Sequence, residues 1–126
     1  MNNSLRVLIA EDEPLVSMLL EEMLLDLGAT VASVATNFPD ALAAADDGNF
    51  DCALLDMNLH GERADPVAAR LTSRGIPFAI LSGGQIEATK LGAVLFVPKP
   101  YRFEDIERAL NAINHEIGQD FRRVNL

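Results

Sequence analysis

Apolar residues along this chain fall into five short runs that are separated by longer amphipathic stretches. Each run is four to six residues long and nearly all apolar, which is typical of strands in a parallel sheet covered on both faces. The runs lie at residues 5–10, 30–34, 52–55, 78–81 and 94–97. Because the predicted strands alternate strictly with helical patterns, the sequence predicts an α/β fold with helices on both faces of a parallel sheet.

The first helical pattern begins shortly after the first apolar run. Apolar residues recur from Val16 to Leu27 at the spacing of one helix face, and Leu19 belongs to this stripe. Pro14 fits the first turn of such a helix, and Gly28 fits its C-terminal cap. The sequence therefore predicts a helix between Pro14 and Gly28 that packs one broad stripe against the sheet.

Four further helices are predicted from similar signals. Asn37 is expected to cap the second helix, and Asp65 is expected to cap the third. The fourth helix has room for only about two turns. The four helices are predicted at about residues 37–47, 65–74, 84–91 and 103–117.

The composition excludes several classes of function. The length of 126 residues suits one domain, and ten Lys and Arg against nineteen Asp and Glu give a net charge of −9. An acidic surface repels nucleic acids and anionic membranes, and the single cysteine, Cys52, excludes an intrachain disulfide and a cysteine-based zinc cluster. No signal-peptide pattern and no apolar run of about 18 residues is present. We therefore expect a cytoplasmic protein that binds neither nucleic acid nor membrane.

Polar side chains follow four of the apolar runs directly. Glu11 and Asp12 follow the first run, Asp56 the third, Ser82 the fourth and Lys99 the fifth. The carboxyl ends of parallel strands share one edge of a sheet, and ligands bind there at the switch point. A strand order of 2-1-3-4-5 would bring the three acids together, with Ser82 and Lys99 beside Asp56.

Three carboxylates at close range disfavour their joint ionisation unless a cation lies among them. Oxygen ligands without histidine or cysteine suit a hard cation, and Mg²⁺ commonly uses one or two carboxylates together with waters and phosphate oxygens. Combined with a hydroxyl and an ammonium group, such a cluster predicts phosphoryl transfer to an aspartate.

Four motifs at these strand ends resemble those of the receiver domain of bacterial response regulators. They occur in the order of that family and read LIAEDEP at 8–14, LLDMNL at 54–59, ILSG at 80–83 and VPKPY at 97–101. The resemblance implies a flavodoxin-like fold of five βα units with strand order 2-1-3-4-5. We expect residues 1–126 to form a single receiver domain, with its core at about 5–117 and a short C-terminal tail at 118–126.

The resemblance also implies the function of the chain. Asp56 would accept a phosphoryl group from a sensor histidine kinase or a histidine phosphotransfer protein. Glu11, Asp12, Asp56 and the backbone carbonyl of Asn58 would hold Mg²⁺. The chain would then signal by phosphorylation-controlled binding to a downstream protein of unknown identity, or serve as a phosphate sink. It would not be an enzyme beyond its own phosphorylation and dephosphorylation.

The remaining motif positions match residues that act on the phosphoryl group. Ser82 would donate a hydrogen bond to it and Lys99 would pair with it, while Phe96 matches an aromatic switch position that moves together with Ser82. Phe96 lies in a predicted strand, so simple core packing remains an equal alternative for it. The Lys99–Pro100 bond matches a cis peptide of the family. Ser82 and Lys99 are seventeen residues apart, as in those receivers that have a shortened fourth helix.

Three other functions compete with this interpretation. Phosphatase-type hydrolases with an aspartyl nucleophile carry a second acid two residues later, where this chain has Asn58. A nucleotide- or flavin-binding domain would show a G-x-x-x-x-G-K-[ST] or G-x-G-x-x-G motif after a strand, and neither motif is present. A protein-interaction module of the same fold that is never phosphorylated stays open as an alternative.

Overall fold

The structure, a computed structural model, describes the backbone of residues 5–82 and 92–124 and the side chains of residues 5–81 and 92–118. Five strands form one parallel sheet: β1 (Arg6–Ala10), β2 (Thr30–Ala35), β3 (Cys52–Asp56), β6 (Phe78–Ser82) and β7 (Leu95–Pro98). Their order in the sheet, β2-β1-β3-β6-β7, confirms the predicted order of the five long strands.

The helices are α1 (Pro14–Asp26), α2 (Phe38–Asp47), α3 (Asp65–Ser73) and α4 (Phe103–Val124). Two short strands, β4 (Asn58–Leu59) and β5 (Glu62–Arg63), lie between β3 and α3.

Two separate apolar clusters cover the two faces of the sheet. Val7 and Ile9 of β1 point into the cluster beneath α1 and α4, whereas Leu8 and Ala10 point into the cluster beneath α2 and α3. All five residues of β3 are buried, since this central strand is covered on both sides. The nearly continuous apolar character of the runs thus reflects burial on both faces, as predicted.

The predicted helix ends are confirmed at α1 and α2. Gly28 adopts a positive φ of 84° after α1, which a residue with a side chain rarely adopts, and its N–H donates to the carbonyl of Leu25. Asn37 caps α2, because its Oδ1 accepts a 2.8 Å hydrogen bond from the N–H of Asp40. Both signals therefore act locally and independently of the rest of the fold.

Other features of the helices differ from the predictions. Asp65 is the first residue of α3 and not its cap, because the carbonyl of the preceding Ala64 accepts the first helical hydrogen bond, from the N–H of Ala68. The carboxylate of Asp65 pairs with Arg63 at 2.9 Å. Leu19 is 45% exposed and so lies outside the packed stripe of α1. Helix α4 runs seven residues past its predicted end at 117, since an isolated glycine such as Gly118 weakens a helix without ending it. The short helix predicted at 84–91 lies outside the described residues.

A β-hairpin that the sequence analysis did not predict follows β3 directly. Strands β4 and β5 pair antiparallel across a two-residue turn at His60 and Gly61, whose φ values are +52° and +85°. Positive φ at both central positions is the geometry of the tight turn that best matches strand twist, and glycine favours its second position. Among the described residues, no helix has the length and apolar character needed to cross a lipid bilayer.

Candidate functional site

The three predicted acids converge at the carboxyl edge of the sheet. Glu11 and Asp12 directly follow β1, and the N–H of Glu11 donates to the carbonyl of Ala35, which extends the pairing of β1 with β2. Asp56 ends β3, the neighbouring strand on the other side. Each acid offers a carboxylate oxygen, and these atoms lie within 4.8 Å of one another. Glu11 is fully buried and Asp56 is 4% exposed.

Lys99 places its ammonium group among these acids. Its Nζ lies 2.7 Å from Oδ2 of Asp56 and 3.5 Å from Oε1 of Glu11. Burial opposes the charge of Lys99, but the hydrogen bond and charge of Asp56, together with Glu11, outweigh burial and raise the pKa of Lys99. The ammonium is therefore the cation that partly offsets the repulsion between the buried carboxylates.

Glu11 is the acid whose pKa is raised by its burial and by the neighbouring charge. Burial, and then the charge of Asp56, raise the pKa of Glu11 from 4.5 to about 7. Three groups oppose this rise: the N–H of Glu13, which donates to Oε2 at 3.2 Å, the charge of Lys99, and the hydroxyl of Tyr101, which donates to Oε1 at 3.1 Å. Near neutral pH, Glu11 is thus close to the balance point between its protonated and ionised forms.

Asp12 is stabilised as an anion by the hairpin. Its Oδ2 accepts a 2.9 Å hydrogen bond from the backbone N–H of His60, and Nδ1 of His60 lies 3.7 Å from the same oxygen. Burial alone would raise the pKa of Asp12, but the hydrogen bond from the His60 N–H, together with hydrogen bonding to Glu11 and to the backbone N–H of Asp12, outweighs burial and lowers the pKa of Asp12. The β4–β5 hairpin therefore contributes to the site through its backbone, which residue-type patterns do not reveal.

The two oxygens of Asp56 have different partners. Oδ1 accepts a 3.0 Å hydrogen bond from the N–H of Asn58, and Oδ2 pairs with Lys99. The side-chain Oδ1 of Asn58 accepts the N–H of Gly61 at 2.8 Å. The residue two positions after Asp56 is therefore an amide that supports the hairpin turn, and not an acid aimed at the site.

The other sequence-predicted site residues lie at the ends of β6 and β7. The backbone of Ser82 pairs with Pro98 at this edge of the sheet, while the side chain of Ser82 is outside the described part. Phe96 is partly buried against the cluster beneath α2 and α3. The peptide bond between Lys99 and Pro100 is cis, as the resemblance implied. The switch role of Phe96 stays a prediction.

Sequence comparison assigns the chain to a family. The model of the response regulator receiver domain matches residues 7–111. This chain is a response regulator receiver domain. The transcriptional regulatory protein TcrA of Mycobacterium tuberculosis is 31% identical to this receiver over 119 residues, which cover 89% of the receiver but 47% of TcrA. The receiver spans about half the length of the curated relatives it matches.

Solved structures give the same result for the fold. SdrG from Sphingomonas melonis Fr1 is 36% identical to this receiver, with a TM-score of 0.77, and the match covers 90% of the receiver and 98% of SdrG. The receiver domain of the sensor histidine kinase PA1611 from Pseudomonas aeruginosa PAO1 is 20% identical, with a TM-score of 0.76 and coverage of 87% and 97%. That structure contains a magnesium ion coordinated in its active-site cleft.

The donor set of this receiver fits a small hard cation. The three converging groups are all carboxylates, and neither histidine nor cysteine joins the cluster among the described residues. Oxygen ligands select Mg²⁺, Ca²⁺ or Mn²⁺ over softer metals. The buried crowding of Glu11 against Asp56 also favours a divalent cation, because such an ion would neutralise the charge that Lys99 offsets only in part.

Proposed function

We propose that this receiver accepts a phosphoryl group on Asp56 from a sensor histidine kinase or a histidine phosphotransfer protein, and that the reaction depends on Mg²⁺. One observation carries the proposal. The carboxylate of Asp56 ends a central buried strand, pairs with Lys99 at 2.7 Å and shares a 4.8 Å cluster with Glu11 and Asp12. Membership of the receiver family and the Mg²⁺ in the PA1611 receiver support it.

The chemistry requires an ionised aspartate as nucleophile. A carboxylate oxygen of Asp56 forms a bond to phosphorus while the bond from phosphorus to the donor's histidine nitrogen breaks, and the imidazole leaves with the electron pair. Lys99 pairs with Oδ2 of Asp56 before transfer and would pair with a phosphoryl oxygen afterwards. Bound Mg²⁺ would neutralise charge on the transferring group, and Glu11, Asp12, Asp56 and the backbone carbonyl of Asn58 would hold it.

The output follows from what phosphorylation adds to the surface. A phosphoryl group brings negative charge and three strong acceptor oxygens to the edge of the sheet, where Ser82 would donate a hydrogen bond to it. We propose that the modified receiver, in the cytoplasm, binds a downstream protein or competes for phosphate within a phosphorelay. A phosphotransfer profile against the host's histidine kinases identifies the donor.

Intact-mass spectrometry tests the phosphoacceptor directly. Incubation with acetyl phosphate and Mg²⁺ should add one phosphoryl group to the parent and none to Asp56→Asn, because the amide is a poor nucleophile. Asp47→Asn is the matched control, since Asp47 is exposed at the end of α2, away from the site. A phosphoryl adduct on Asp56→Asn would refute the assignment.

A further inference from the structure

A buried tyrosine hydroxyl contacts the candidate metal pocket. Tyr101 is 9% exposed, and its hydroxyl donates to Oε1 of Glu11 at 3.1 Å. Its ring belongs to the apolar cluster beneath α1 and α4, together with Ile106 and Leu110. Packing therefore fixes the position of the hydroxyl independently of the acid that it contacts.

The partners of Glu11 divide between its two oxygens. Oε2 accepts the backbone N–H of Glu13, whereas Oε1 accepts the hydroxyl of Tyr101 and lies 3.5 Å from Nζ of Lys99. Without the hydroxyl, Lys99 would be the only donor near Oε1 among the contacts that the structure describes. The buried carboxylate would then turn toward the ammonium, because a buried acceptor without a partner is costly and hydrogen bonds between charged groups are stronger than neutral ones.

Such a turn would disturb the contact of Lys99 with Asp56 and the role of Glu11 as a metal ligand. A closer pair between them would draw Nζ away from Asp56, which it now contacts at 2.7 Å. It would also occupy Oε1 of Glu11, one of the two oxygens that this carboxylate offers to a cation. Groups that hold a metal ligand from behind fix its orientation, and their loss commonly weakens metal affinity by about 10- to 100-fold.

We propose that Tyr101 is a positioning residue for the metal pocket, and that its hydroxyl prevents Glu11 from pairing with Lys99 more closely than the observed 3.5 Å and so keeps Glu11 in the orientation that binds Mg²⁺. This inference rests on the Mg²⁺ dependence put forward above and adds a residue to which no role has been assigned. Among the contacts that the structure describes, the hydroxyl of Tyr101 hydrogen-bonds to Glu11 and not to Asp56, so it acts through Glu11.

Calorimetric titration with Mg²⁺, without a phosphodonor, tests this role. Tyr101→Phe removes only the hydroxyl and keeps the packed ring, so the variant should fold and its dissociation constant for Mg²⁺ should rise about tenfold. Ser17→Ala is the matched control. Its buried hydroxyl donates to the carbonyl of Pro14 on the same side of the sheet, and its removal should leave the dissociation constant unchanged.

The rate of phosphorylation by acetyl phosphate, measured against Mg²⁺ concentration, separates positioning from general damage. In Tyr101→Phe the half-saturating Mg²⁺ concentration should rise about tenfold, while the maximal rate stays within about twofold of the parent. A lower maximal rate with unchanged half-saturation would overturn the proposal. So would an unchanged dissociation constant.

A double-mutant cycle shows whether the hydroxyl acts through Glu11. In a Glu11→Ala background, which has no acceptor for the hydroxyl, the added Tyr101→Phe change should alter the Mg²⁺ dissociation constant by less than about twofold. A further tenfold loss in that background would mean that Tyr101 acts by another route and would refute the inference. If the parent itself binds no Mg²⁺, the metal dependence in the proposed function is refuted. If the parent binds Mg²⁺ and Tyr101→Phe binds Mg²⁺ equally well, only the role of Tyr101 is refuted.

Discussion

Replacing Glu11 by glutamine should remove most of the pH dependence of stability of the metal-free receiver in the weakly acidic range. The pKa of Glu11 is raised from 4.5 to about 7 in the folded chain, so the native state holds a proton that the unfolded state releases above about pH 4.5. The stabilisation from this group is therefore complete below about pH 4.5 and is lost as the pH rises through about 7. Glutamine keeps the shape of the protonated acid and does not titrate.

The size of the effect follows from the shift. Each pKa unit corresponds to 1.36 kcal/mol, so the parent should lose about 3 kcal/mol of unfolding free energy over this range relative to the variant. Glu11 is fully buried, so solvent screening does not reduce the figure. For a domain of this size the difference corresponds to roughly 10 °C in melting temperature. Because a typical domain has only about 5–15 kcal/mol of stability, the loss is easy to measure.

Urea unfolding of both proteins, in the presence of a chelator and in buffers from about pH 4.5 to about pH 8, provides the measurement. Both proteins share every other titratable group, so the difference between the two curves isolates Glu11. The shift of Asp12 affects only a more acidic range, because its pKa is lowered from 3.8. Parallel curves for parent and Glu11→Gln would refute the electrostatic description of the pocket.

Two further predictions concern the acids and the caps. Asp12→Ala should erase the rise in melting temperature that Mg²⁺ produces in the parent, which corresponds to about 2.7 kcal/mol at a Mg²⁺ concentration of about one hundred times Kd. The same change should lower the metal-free unfolding free energy by about 1 kcal/mol, because the N–H of His60 loses its acceptor. A retained Mg²⁺ response would contradict the three-acid pocket. Asn37→Ala should lower the unfolding free energy by about 1 kcal/mol through loss of the α2 cap without changing the Mg²⁺ response, and an unchanged unfolding midpoint in urea would contradict the cap.

The strands of the sheet and the position of the acids directly after them were accessible from the sequence because each depends on a short-range signal. Continuous apolar runs mark strands buried on both faces, and residues directly after parallel strands share one edge. These signals place Glu11, Asp12, Asp56 and Lys99 at one edge of the sheet, where the structure shows them in contact. The topology itself came from the resemblance, since periodicity alone does not order strands.

The features that the sequence analysis missed depend on contacts between distant segments. The hydrogen bond from Tyr101 to Glu11 joins residues ninety positions apart. The hydrogen bond that Asp12 accepts comes from the backbone N–H of His60, and a backbone N–H carries no residue-type signal. Only the hairpin had a local signal, the glycine at its second turn position.

Tyr101 has a practical consequence for experiments on this receiver. The chain contains one tyrosine and no tryptophan, so a single phenol dominates its near-ultraviolet absorption and fluorescence. That phenol hydrogen-bonds an acid of the candidate metal pocket and is held rigidly in an asymmetric apolar environment. The unmodified protein thus carries an intrinsic optical probe of its own pocket, and near-ultraviolet circular dichroism can follow that pocket without a label.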